Sequence, residues 1–195
     1  MKKIKLLVAI GDFRMGGAQK IVVDLINTID TDRFEVHLLT FFDARDEDTF
    51  YSLVGSHVTV HRLTWKGFSD IRSWLKTMRV MRTVKPDLVF SHLYFSNTVT
   101  RCLSFLHRYA VVTVEHNTYV NKTKMQQWVD RLLSHVTAKI VAVSDGVRSF
   151  TVTQEKISPD LFTVITNGIN IDQLKDQASV ESVAQLRSDL GITDT

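Results

Sequence analysis

The chain has 195 residues, 44% of them hydrophobic and 23% charged, an ordinary globular composition with enough apolar mass for one sizeable core. Its formal net charge of +3 suits an anionic ligand or an anionic membrane surface, and it is too small to argue for nucleic acid. The single cysteine, Cys102, excludes an internal disulfide and points to a reducing compartment. It reads as packing on a helix face rather than as a nucleophile. Met1, Lys2 and Lys3 precede an apolar run that is too short for a secretory leader and meets Gly11 and Asp12 without a small-residue cleavage site. No stretch reaches the ~18 apolar residues of a membrane span.

The first apolar run, Ile4, Leu6, Leu7, Val8, Ala9 and Ile10, is short and bounded by glycine, as a strand covered on both faces should be. A glycine loop follows, from Gly11 and Asp12 to Gly16 and Gly17. It opens a helix marked by Ala18, Ile21, Val22, Leu25, Ile26 and Ile29 at helical spacing. At a helix start the backbone N–H groups are unpaired and the dipole is positive, so an anion can be bound. Gly16 and Gly17 put no side chain in its way. The loop is not a Walker loop, because Gly17 stands where the lysine should be, and the G-x-G-x-x-G spacing is absent. Taken alone, the stretch has a plainer reading as a tight strand-to-helix turn.

A second strand is predicted over 34–42, then a charged loop over 43–48, a short helix to Val54 and an edge strand over 58–63. Ser69 or Asp70 can cap a helix running to about Val84, which Lys85, Pro86 and Asp87 stop ahead of a buried strand over 88–90. Helix 97–106 places Val99, Cys102, Leu103 and Leu106 on one face, and strand 110–114 follows. Helix 123–136 has Met125, Trp128, Val129, Leu132, Leu133 and Val136 in register. Strand 140–143 leads to a short helix capped by Ser144 or Asp145. A last strand over 162–165 ends at Asn167, Gly168, Ile169 and Asn170. A linker-like stretch over 172–182 and a polar helix over 180–190 close the chain. Strands alternating with helices predict an α/β fold: a Rossmann-like parallel sheet of about seven strands with helices on both faces.

In such sheets ligands bind beyond the carboxyl ends of the strands. The unusual polar residues fall there: Ser91, His92 and Tyr94; Glu115, His116 and Asn117; Ser144 and Asp145; Asn167 and Gly168. Two histidines, a carboxylate and a glycine loop on one rim point to a binding site. A Ser144–His116–Asp145 hydrolase is not supported, because the G-x-S-x-G elbow is absent and Ser144 reads as a helix cap. His92 and His116 lack a short-spaced partner ligand, so no metal site is expected. Asp30, Thr31 and Asp32 form a D-x-D string on the amino-end side and read as a solvated turn. In the helix after Asp70, Ile71, Trp74, Leu75, Met78 and Met81 share a face, while Arg72, Lys76 and Arg79 line a neighbouring stripe. The simpler reading lays the apolar face on the sheet. The alternative, with Trp65, Lys66 and Phe68 just ahead, is a basic, aromatic-flanked contact with a membrane surface.

The order of these motifs resembles the N-terminal domain of the retaining glycosyltransferases of family four, which have the two-domain GT-B fold. The matching pieces are Gly16-Gly17-Ala18-Gln19-Lys20, Lys85-Pro86-Asp87-Leu88-Val89 with His92 after it, and Thr113-Val114-Glu115-His116. They continue with Val141-Ala142-Val143-Ser144, Val164-Ile165-Thr166-Asn167-Gly168-Ile169-Asn170, and Leu186-Arg187 through Leu190-Gly191-Ile192. The resemblance implies an acceptor-side domain over 1–171 and, over 172–195, a linker and the start of an interdomain helix. The C-terminal donor domain would come after Thr195 and is absent from the chain.

The resemblance also implies roles. His116 would be catalytic, hydrogen-bonding the transferred sugar or stabilising charge at the reaction centre. Gly16 and Gly17 would lie near the donor's phosphates, and Asn167 and Gly168 on the floor of the cleft. His92 and Tyr94 would line the acceptor side, with Glu115, Asn117 and Ser144 as further substrate-binding residues of the rim. The donor would be a nucleotide sugar, UDP-linked, with no metal and no separate cofactor. The acceptor would be a glycan or a lipid-linked carrier at the cytoplasmic face of a membrane. The chain alone would be inactive, because the family's E-x7-E carboxylates and basic phosphate-binding residues belong to the C-terminal domain, supplied in cis or in trans. A non-catalytic, membrane-recruiting scaffold half of a split glycosyltransferase is the alternative, and a nucleotide-sugar epimerase-like half shares the fold class.

Overall fold

The structure, a computed structural model, describes residues 2–42, 48–168, 171 and 180–191. Most of the charged loop, Ile169 and Asn170 of the last motif, nearly all of the linker-like stretch, and Ile192 lie outside the described residues. The elements are β1 (Ile4–Ile10), α1 (Gly17–Thr28), β2 (Phe34–Thr40), a 3-10 turn (Tyr51–Leu53), β3 (Thr59–Arg62) and α2 (Ile71–Val84). They continue through β4 (Leu88–His92), α3 (Tyr94–Ser104), β5 (Ala110–Glu115), α4 (Lys124–Leu133), β6 (Lys139–Ala142), α5 (Asp145–Glu155), β7 (Phe162–Val164) and α6 (Val180–Asp189).

The strands form one parallel sheet in the order β3-β2-β1-β4-β5-β6-β7. β1 lies inside the sheet between β2 and β4, and Leu7, Val8, Ala9 and Ile10 are wholly inaccessible to solvent. A strand covered on both faces has no polar side to show, which is why β1 reads as a continuous apolar run. Side chains alternate across the sheet. Leu6, Val8, Ile10 and Leu38 pack with Val22 and Ile26 of α1 on one face. Leu7, Ala9, Leu39 and Val89 pack with Met81 of α2 and Val99 and Leu103 of α3 on the other. Pro86 ends α2 as expected, through Lys85 in the left-handed region at φ 51°.

Two helices bury only part of the face that their apolar spacing predicts. α2 turns Ser73, Thr77, Met81 and Val84 inward and leaves Ile71 and Leu75 exposed. Small residues are needed beneath it because Trp65 fills the gap against the sheet and donates from Nε1 to Thr77 Oγ1 at 3.1 Å. α4 buries Asp130 and Leu133 and exposes Met125, Trp128 and Leu132. Its inward face is selected by charge, since the Asp130 carboxylate pairs with the buried Arg101 of α3. Leaving that guanidinium buried and unpaired would cost about 3–5 kcal/mol.

Candidate functional site

β1 and β4 are neighbours, with Ile10 opposite His92, yet the helices that follow them pass to opposite faces. A crevice opens where neighbouring connections part in this way. On one side lies the glycine loop, which is rigidly built. Phe13 is inaccessible to solvent and packs on Tyr51 and Phe50, with ring centroids 5.1 and 6.4 Å away. The Gly11 carbonyl accepts from the N–H groups of Phe41 and Phe42 at 2.9 and 2.8 Å. Asp12 accepts from Gln19 Nε2 at 3.1 Å. Gly16 caps α1, and no side chain accepts from its first turn. Those N–H groups are therefore open to an anion. A Cβ on Gly17 would meet nothing within 4 Å, whereas one on Gly16 would come to 2.6 Å from Gln19 Oε1.

On the other side lie the two histidines. His92 ends β4, two residues beyond the predicted strand, and is 1% exposed. Its Nδ1 is 3.0 Å from Nε2 of His116, which follows β5. Its own Nε2 is buried without a partner. Burial holds the His92 imidazole down at about 3, helped by the neighbouring His116, and burial lowers His116 as well. Both rings are therefore neutral at pH 7 and share one N–H between them, and either ring can be the donor. The bond leaves Nδ1 as the His116 ring nitrogen not engaged with His92. Leu93 follows His92 at φ 68°, ψ 156°, a conformation that a residue with a side chain rarely adopts. That sharp turn sends His92 to the α1 face and Tyr94 to the opposite one.

His92 and His116 line a cavity of roughly 260 Å³ beside α1. Ile21 and Leu25 of α1, Val114, Val141 and Val143 make its apolar walls, and Asn167 and Gly168 lie at its edge. The described lining contains two imidazoles and no charged side chain. The structure thus brings together His92, His116, Asn167 and Gly168, next to the helix that Gly16 and Gly17 begin.

The other predicted site residues lie elsewhere. Tyr94 opens α3 and lines a separate groove with Tyr119, Val120 and Lys122. Asn117 is exposed on the loop after His116. Ser144 accepts from the Val147 N–H at 3.2 Å and caps α5, as its sequence context predicts. Glu115 points away from the cavity into the opposite helix layer. It accepts from Asn97 Nδ2 at 3.1 Å, and burial pushes its carboxyl above the usual range.

Beside Glu115 is a charge network that sequence reasoning missed. Arg101 pairs with Asp130. The Lys122 ammonium pairs with Asp130 Oδ2 at 2.8 Å and Glu155 Oε1 at 2.5 Å, and sits over the rings of Tyr94 and Tyr119. Burial, then the Asp130 carboxylate, push Glu155 up to about 7 against the pull of Lys122. The network ties the loop that carries His116 and Asn117 to α3, α4 and α5.

A sequence profile of Glycosyltransferase Family 4 matches residues 15–173. No curated protein matches the chain. Among solved structures, HepE from Anabaena in complex with UDP and glucose superposes with a TM-score of 0.77 at 21% identity, covering 96% of this chain and 50% of that one. A glycosyltransferase from Rickettsia africae gives a TM-score of 0.75 at 12% identity, covering 100% of this chain and 51% of that one. UDP-N-acetylglucosamine 2-epimerase from Rickettsia bellii gives 0.64 at 10% identity, covering 98% and 52%. At these identities the likeness establishes the fold, one Rossmann-like half of a GT-B protein, and the chain spans about half the length of each neighbour. The epimerase shows that the fold alone does not select the reaction. A profile matched over most of the chain is narrower than a fold: the chain belongs to Glycosyltransferase Family 4.

Proposed function

We propose that the chain is the acceptor-side half of a retaining glycosyltransferase, which passes a sugar from a UDP-linked donor to a glycan or lipid-linked acceptor. One observation carries the reading: a neutral, paired His92–His116 couple lies at the sheet's switch point beside the uncapped start of α1. The pair holds the His116 ring in one orientation, so its Nδ1 can meet a sugar hydroxyl without first reorganising. The open α1 N-terminus, with Gly16 and Gly17, suits a diphosphate. HepE, a structural neighbour, is bound to UDP and glucose.

The cavity's described lining contains no carboxylate and no cation. An oxocarbenium-like centre and a departing diphosphate both need charge opposite to their own. In this reading a second domain, in cis or in trans, supplies that charge, and the chain by itself transfers no sugar. The test is an NMR titration of the chain with UDP-sugar and, separately, with a soluble glycolipid-pyrophosphate mimic. Amide shifts at Gly16, His92 and His116 with the mimic, and little change with UDP-sugar, are expected. Tight UDP binding would overturn the assignment to the acceptor side, and silence with both ligands would overturn the substrate site itself.

A further inference from the structure

The switch point occupies the carboxyl ends of the strands, and a second concave feature lies at the opposite end of the sheet. There the connections at the amino ends of β1, β4 and β5 enclose an open cleft of about 440 Å³. Lys2 ahead of β1, the last turn of α2, the α2–β4 connection and the α3–β5 connection line it. At ~3.3 Å per residue along β4, it lies roughly 16 Å from His92. Backbone hydrogen bonds pin its frame. The Lys85 N–H donates to the Met81 carbonyl at 2.8 Å, the Asp87 N–H to the Lys5 carbonyl at 2.9 Å, and the Ala110 N–H to the Asp87 carbonyl at 3.1 Å. The Tyr109 hydroxyl donates to the Thr100 carbonyl at 2.8 Å, which fixes its ring at the cleft wall.

Charge converges on this cleft from three separate parts of the chain. Lys2, Arg82, Lys85 and Arg108 line it and are exposed, and none of them is in an ion pair among the described residues. Asp87 is the one acid of the described lining, and its Oδ2 accepts from the Lys5 N–H at 2.9 Å. The C-terminal dipole of α2 accounts for Arg82 and Lys85, which sit in its last turn and at its cap. It does not account for Lys2 and Arg108, which other parts of the chain bring to the same place. His107 also lines the cleft, and its Nε2 is buried without a partner among the described residues. A recess lined by charge of one sign focuses the field and concentrates counter-ions.

We propose that this cleft binds a small soluble anion with two linked phosphates. Lys2 stands ahead of β1, Lys85 ahead of β4 and Arg108 ahead of β5, three neighbouring strands. With ~4.8 Å between strands, the cations spread over roughly 10 Å, and two linked phosphates reach across that span better than one. The guanidinium groups of Arg82 and Arg108 can each take a phosphate through paired N–H donors. Met81, Pro86 and the Tyr109 ring offer an apolar wall to the organic part of such a ligand. The recess has the size of a small-molecule site, and a flat surface laid over it would leave it unfilled. A bound anion also offsets the repulsion among the four cations, so the ligand stabilises the fold. The cleft is separate from the switch point, and the proposal does not rest on the transfer reading.

The experiment is an amide NMR titration of the full chain with inorganic pyrophosphate and, separately, with inorganic phosphate. Pyrophosphate should shift the amides of Lys85, Asp87, Arg108 and Tyr109, and bind there roughly tenfold or more tighter than phosphate. A response at Gly16 would report the start of α1 instead, so one spectrum reads the two ends of the sheet separately. Arg82→Gln with Arg108→Gln should weaken the amino-end response by roughly tenfold or more and leave any Gly16 response unchanged. Lys85→Asn, whose side chain tolerates the left-handed conformation, should weaken it as well. All three positions are exposed, and unchanged circular dichroism would show the variants folded. No response at the amino end, equal affinity for phosphate and pyrophosphate, or a response that survives in the variants would each overturn the proposal. So would an RNA oligonucleotide or phosphatidylglycerol vesicles that engage the same amides more tightly than pyrophosphate.

Discussion

His92 is held against its own chemistry. It is 1% exposed, lacks a partner at Nε2 and stays neutral, with its imidazole pushed down to about 3. As pH falls below the ordinary value of about 6.5, the unfolded chain takes up a proton that the folded chain refuses, so stability is lost toward acid. His92 should cost about 2 kcal/mol of stability between about pH 7 and pH 5. His92→Gln removes that dependence. The gap in unfolding free energy between parent and variant, measured by urea titration, should shift by that amount in favour of the variant at the lower pH. Parallel pH profiles would show that His92 titrates normally in the fold. A structural role alone would favour an apolar residue here. What distinguishes the imidazole is that it fixes the ring of His116.

Among the elements, α3, α4 and α5 are joined by charge as well as by apolar contact. Arg101, Lys122, Asp130 and Glu155 are almost fully buried and their formal charges balance, while Glu115 is pushed toward its neutral form. A balanced buried network adds little net stability, but removing one member strands the others. Lys122→Met should therefore destabilise the chain by about 3 kcal/mol or more. It should also loosen the loop between His116 and Thr123, visible as faster amide exchange there. A loss below about 1 kcal/mol would mean that water reaches the network and screens it. The same network explains the orientation of α4. Once Asp130 must face Arg101, the helix cannot also bury Met125, Trp128 and Leu132.

At the scale of the molecule, the sheet is protected unevenly. β1 and β4 lie at its centre, and the short strands β3 and β7 form its edges. α1 covers the β1–β2 side of one face, while beyond β5 the same face ends in Ile165, 56% exposed. Amide exchange should therefore be slowest in β1 and β4, and faster by orders of magnitude in β3 and β7. Equal protection in β7 and β4 would reveal a covering element in solution. The switch point lies between the two most protected strands, so the site stands on the least mobile part of the fold.

The seven strands, the parallel α/β class and the rim of polar residues were legible in the sequence, because each depends on local pattern. A doubly covered strand must be an unbroken apolar run, a helix start needs a small or polar cap, and a proline must end α2. The family was legible for the same reason, since its motifs sit at strand ends whose order is fixed by connectivity. Which rim residues share a cavity was not legible. His92 and His116 meet because β4 and β5 are neighbours and their side chains point to one face, whereas Glu115, one residue earlier, points to the other. The outward faces of α2 and α4 were also decided only by tertiary structure. Periodicity shows that a helix has an apolar side, but which side is buried depends on what lies beneath it. Here Trp65 beneath α2 and Arg101 beside α4 roll the helices, so that Met81 and Leu133 of the expected faces are buried while Ile71, Leu75, Met125, Trp128 and Leu132 are not.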